Sequence, residues 1–103
     1  MTYIEELRDV IRKLHGVESR HVESVPVKEM FQGRTVWDGV VEVFDLIGHP
    51  TAARLYAWSH QTDDPKQPRR HVTVLHTDPI TSPLLAVRAV IVQEFRNNAP
   101  AEA

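Results

Sequence analysis

Thr51-Ala52-Ala53-Arg54-Leu55-Tyr56-Ala57-Trp58-Ser59-His60 alternates small and large side chains with a period of two. That is the period of a β-strand, whose successive side chains point to opposite faces. One face carries Ala53, Leu55, Ala57 and Ser59; the other carries Arg54, Tyr56, Trp58 and His60. The first face is small and apolar, a surface on which a helix layer packs closely. The second aligns a guanidinium, a phenol, an indole and an imidazole along about 20 Å of strand.

The segments on either side set this strand in a sheet. Upstream, Arg34 to Ile47 reads as a strand with Val36, Val40, Phe44 and Leu46 in one phase and Trp37, Val41, Val43 and Ile47 in the other. Neither phase is polar, so this strand is expected to be covered on both sides. Gln32-Gly33 forms a tight turn back to a further run, His21 to Phe31, and the two runs pair as a hairpin. Pro26 cannot donate to a ladder, which assigns that run to a sheet edge or to a bulge, and Gly39 marks a candidate irregularity opposite it. Gly48-His49-Pro50 turns the chain into the alternating strand. Gln61 to Arg69 is a polar loop with two prolines, and Arg70 to His76 is a fourth strand ended by Thr77-Asp78-Pro79.

Helices close both ends. Ile4, Leu7, Val10, Ile11 and Leu14 recur at steps of three and four between charged residues, the pattern of an amphipathic helix. Thr2 and Glu5 fit a capping box, and Gly16 supplies the left-handed stop. Ser82 caps a second helix with Pro83 at its first position, running to about Phe95 or Arg96. Leu84, Leu85, Ala86, Val87, Ala89, Val90, Ile91 and Val92, broken only by Arg88, make it apolar on nearly every side. The expected fold class is therefore α+β: an antiparallel four-stranded meander sheet in the order α-β-β-β-β-α, with both helices on one face. Residues 1–96 form a single domain, and 97–103 are expected to be a disordered tail.

Composition narrows the function. The chain has 103 residues, 42% hydrophobic and 25% charged, with a formal net charge of −2 and a pI near 6.3. One compact domain fits this length, and the near-neutral charge argues against bulk nucleic acid or an anionic membrane as the main partner. There is no cysteine, hence no disulfide, thiolate metal site or cysteine nucleophile. The acidic N-terminus lacks the layout of a secretory signal, and the longest apolar run, Ala89-Val90-Ile91-Val92, is far too short to span a bilayer. A cytoplasmic protein is expected.

Four groups of residues are candidates for chemistry. Arg54, Tyr56, Trp58 and His60 suit a partner or ligand surface: Tyr, Trp and Arg are enriched at protein interfaces, and aromatic sheet faces also stack bases. Ordinary packing of strand aromatics is the alternative. His60 and His71 flank a loop holding Asp63 and Asp64, a set of metal-ligand types spaced by a flexible loop, which leaves strand-end histidines as the simpler reading. Glu42 shares a phase with Val40 and Phe44, so it is either a buried general acid or half of a cross-strand pair. Asp45 and Arg54 are placed to form a second pair. The basic stretch Pro68-Arg69-Arg70-His71 suits a phosphate or solvent. No enzyme class, cofactor or metal is assigned. The function expected is binding, through self-association as a homodimer that uses the Tyr56 and Trp58 surface and the second helix. The alternative is a ligand or single-stranded nucleic-acid module on the same aromatic face.

Overall fold

Thr2 opens the first helix, α1 (Tyr3–His15): its Oγ1 accepts the Glu5 N–H at 3.1 Å while Glu5 Oε1 accepts the Thr2 N–H. Two otherwise orphaned donors of the first turn are satisfied reciprocally. Gly16 then adopts the left-handed conformation at φ 69° and donates its N–H to the Arg12 carbonyl, which ends the helix. The computed structural model describes residues 2–98, with side chains through Glu94.

Strands β1 (Glu18–Phe31) and β2 (Arg34–Ile47) are joined by Gln32 and Gly33, both at positive φ (52° and 77°). A turn with both central residues in that region has the twist of the strands it joins. Strands β3 (Arg54–Gln61) and β4 (Arg69–Leu75) follow, and the sheet runs β1-β2-β3-β4 with every pair antiparallel. Helix α2 (Pro83–Asn98) closes the fold, with Ser82 Oγ accepting the Leu85 N–H. The order is the α-β-β-β-β-α meander that the patterning predicts. Boundaries differ at three elements: β1 begins at Glu18 rather than His21, β4 runs Arg69–Leu75 rather than Arg70 to His76, and α2 continues through Asn97 and Asn98, positions the sequence pattern assigns to a tail. The remainder of that expected tail, 99–103, lies outside the described residues.

Register explains the hairpin's irregular residues. His21 pairs with Phe44 and Glu23 with Val43, so Val22 is an extra residue on β1; Glu29 pairs with Trp37 and Met30 with Thr35, so Val36 is an extra residue on β2. Pro26 lies in the edge strand and pairs in step with Val40. Gly39 is no break in the ladder. Its missing side chain makes room for the Trp37 indole, whose Cη2 would lie 3.0 Å from an added Cβ.

One expectation is corrected by how the faces are covered. The alternation in β3 predicts helices on one side only, yet α1 and α2 lie on opposite faces of the sheet. Leu7 and Ile11 of α1 share a core with Phe44, Leu46, Leu55 and Ala57. Ala86 and Val87 of α2 share a second core with Val41, Val43, Tyr56 and Trp58. The physical cause is β2, whose two apolar phases both need shelter from water, and β3, whose central aromatics add to the second phase. No described helix is long and apolar enough to cross a membrane.

This burial separates two aromatic substitutions. Trp58, 2% exposed, lies in the second core, whereas Phe31 at the hairpin tip is 64% exposed. Trp58→Ala is expected to cost about 3–5 kcal/mol in urea unfolding, and Phe31→Ala no more than about 0.5 kcal/mol. Equal costs would contradict the two-core arrangement.

Candidate functional site

The stripe Arg54, Tyr56, Trp58 and His60 does share one strand face, but that face is roofed by α2. Tyr56 and Trp58 are each 2% exposed. The Trp58 indole meets Trp37 edge to face, ring centres 5.7 Å apart at 72°, and Tyr56 Oη shares a 2.5 Å hydrogen bond with His76 Nδ1. Burial pushes the Tyr56 phenol up from its ordinary pKa, against a smaller opposing pull from Arg54. A phenol held neutral and bonded inside the core is a packing residue. The structure therefore corrects the reading of Tyr56 and Trp58 as a contact surface: neither ring is available to a base, a ligand or a second protein without removing α2.

The ends of the stripe behave as strand ends. Arg54 joins a row that crosses three strands, with Arg20 on β1 and Asp45 on β2 as its neighbours in register. Asp45 accepts from Arg20 at 2.9 Å and from Arg54 at 3.3 Å, and these two guanidiniums, Arg20 foremost, hold its carboxyl below the ordinary range. The predicted Asp45–Arg54 pair is present, with a second arginine that strand spacing alone does not identify. His60 is half-buried; its Nε2 is buried with no hydrogen-bond partner among the described residues.

Strand register also decides the histidine question. His60 pairs with Arg70 and Ser59 with His71, so His60 and His71 point to opposite faces. They cannot share an ion with Asp63 and Asp64. Among the described residues no group of three or more acidic or imidazole side chains is placed to hold a metal.

Two polar clusters lie on the α1 face. Glu42 is buried, and its Oε1 accepts from His21 Nε2 at 2.9 Å and from the Ser24 hydroxyl. The serine and histidine thus converge on one carboxylate oxygen. Nucleophilic catalysis needs the imidazole between hydroxyl and acid, where it takes the proton. Here both donate to the acid, and Glu42 is the cross-strand partner that one of its two readings anticipated, with an imidazole as the base.

The second cluster was not foreseen, because it joins the first and last parts of the sheet layer. Glu6 of α1 accepts from Arg69 at 2.5 Å and from His71 at 2.6 Å, both on β4, and the Arg69 guanidinium lies 5.6 Å above the Tyr3 ring. Tyr3 Oη accepts from Ser59, and His15 Nε2 lies 3.0 Å from Thr73 Oγ1. The basic stretch that opens β4 is therefore engaged with α1 through Arg69 and His71. Nothing in the sequence pattern indicates that β4 passes beneath α1, because that depends on contacts between the two ends of the chain.

These contacts hold α1 over β4 and leave a groove beside that strand. Arg70, His71, Val72 and Thr73 form its floor, Leu14 of α1 one wall, and Val90, Gln93 and Glu94 of α2 the other, enclosing about 590 Å³. β4 is a sheet edge, and among the described residues no strand occupies its outer side. No family model, curated protein or solved structure matches the chain.

The Glu6 cluster carries a pH dependence. Hydrogen bonds from His71 and then Arg69 hold the Glu6 carboxyl below its ordinary value of 4.5. A carboxyl lowered in the folded state adds stability that is full above the unfolded value and is lost as pH falls through the folded one. Melting temperature of the wild type is therefore expected to fall below about pH 4.5 more steeply than that of Glu6→Gln. Parallel curves would show that the cluster does not tie α1 to β4.

Proposed function

We propose that this protein is a cytoplasmic binding domain that acts by self-association as a homodimer, with no catalytic step. The observation that carries the reading is the groove at the β4 edge, an open strand flanked by apolar side chains of both helices. Leu14, 63% exposed, stands at its mouth, and Val92, 49% exposed, continues the apolar surface of α2. An unpaired strand edge with Leu14 and Val90 set among polar side chains on either side is a template for another strand, and symmetric pairs are the commonest oligomers. The cytoplasmic setting rests on the cysteine-free composition, which suits a reducing compartment.

Of the two contact regions expected from the sequence, α2 is retained and the Tyr56 and Trp58 surface is given up. The alternative of a ligand or single-stranded nucleic-acid module on Arg54, Tyr56, Trp58 and His60 gains no support, since stacking needs exposed rings and both are covered.

Light scattering coupled to size exclusion, over a series from low to high micromolar protein, tests the proposal. The mass is expected to approach twice the 11.8 kDa of the chain as concentration rises. A strict monomer at high micromolar concentration overturns it.

A further inference from the structure

We propose that the occupant of the β4 groove is β4 of a second copy, antiparallel about a two-fold axis at Val72, joining two four-stranded sheets into one of eight strands. This rests on the self-association reading and specifies its surface and register.

The two free edges of the sheet are built differently. β1 is interrupted by the extra residue Val22, carries Pro26, and presents charged side chains along its length, including Glu18, Arg20, Glu23 and Lys28. Bulges, proline and charge are the devices by which edge strands resist pairing. β4 has none of the first two: it pairs residue for residue with β3 from Arg69 to Leu75 without a shift. Its side chains on the α1 face are already committed, His71 to Glu6 and Thr73 to His15. Among the described residues β3 is the only strand that β4 pairs with, which leaves its outer row of backbone donors and acceptors for a second strand to pair.

Symmetry and charge select the copy and the register. β4 spans Arg69–Leu75, and Val72 is its midpoint, so an axis there pairs all seven residues: Arg69 with Leu75, Arg70 with Val74, His71 with Thr73. The antiparallel sense sets the arginines of the two copies at opposite ends, whereas a parallel pairing would stack them, at a cost for like charges directly opposed. The groove also carries one cation, Arg70 on its floor, and one anion, Glu94 on its α2 wall. Two such surfaces brought together are neutral overall and each offers the other both signs, while a strongly acidic or basic partner would leave one of them opposed. Leu14 and Val90, on either side of the floor, provide apolar cover for the paired strands on both faces.

A single introduced thiol tests the register cleanly, because the chain has no cysteine. Residues directly opposite across antiparallel strands have Cβ atoms about 4.5–5.5 Å apart, so mild oxidation is expected to convert Val72→Cys rapidly to a covalent dimer and to leave Phe31→Cys at the hairpin tip largely unlinked. Arg70→Glu makes both groove charges acidic and Glu94→Arg makes both basic; each is expected to weaken dimerisation about tenfold, and an equimolar mixture of the two is expected to recover wild-type strength. A wild type that dimerises while Val72→Cys cross-links no faster than Phe31→Cys, or while neither charge reversal changes the dimer, overturns this pairing and leaves self-association intact. A monomeric wild type removes both. Amide exchange on the unsubstituted chain guards against a misfolded variant: the β4 amides are expected to slow as concentration rises, and exchange independent of concentration overturns the inference. Protection that appears only when an unrelated extended peptide is added to a monomeric chain assigns the groove to another protein's strand and overturns it as well.

Discussion

Every other feature of this fold depends on β2 being apolar in both phases. A strand with Phe44 and Leu46 on one side and Val41 and Val43 on the other cannot lie at a half-wet sheet. It needs a layer on each face, and a chain of 103 residues with two helices meets that need in one way, one helix per face. The burial of Tyr56 and Trp58, the placement of α2 beside the free edge, and the groove there all follow from that division.

The same constraint sets where polar groups sit. Central positions of β3 are enclosed from both sides, so its large side chains are packing elements whatever their chemistry. Apart from Glu42, buried in mid-strand with His21 and Ser24, the charged clusters lie at strand ends, sheet margins and helix–strand seams, where Arg20, Asp45 and Arg54 form one row and Glu6, Arg69 and His71 another. Arg88 of α2 and Glu29 of β1 form a comparable tie at the opposite margin. Exposed pairs of this kind contribute little each; the Glu6 and Arg88 pairs set the position of each helix over strands that its apolar stripe alone would let slide, while the Arg20–Asp45–Arg54 row ties strand to strand. With α1 located over β4 in this way, the edge of that strand stays open.

Much of the architecture was legible in the residues. Thr2, Glu5 and Gly16 delimit α1, Gln32-Gly33 closes the hairpin, and Ser82-Pro83 opens α2, because caps and tight turns are decided by one or two side chains acting locally. The stripe on β3 was legible as a face but misread as a surface. Arg54 and His60 made that face look polar, though they are its ends, and the sheltered middle holds only Tyr56 and Trp58. The signal that could have corrected this was present in two places: the second apolar phase of β2, and the all-round apolar character of α2, which also suits a helix lying between a sheet and an interface. The Glu6 cluster and the His21–Glu42 contact were beyond reach, since both depend on register between distant segments, and a bulge at Val22 shifts the strand by a residue.

The claim at the centre is that each helix covers its own face. Nuclear Overhauser contacts from side-chain methyl groups address it most directly. Ala86 and Val87 are expected to report to the aromatic protons of Tyr56 and Trp58, while Leu7 and Ile11 report to Phe44 and Leu55. Contacts from both helices to the Phe44 and Leu55 side, with none from α2 to Tyr56 or Trp58, would contradict it.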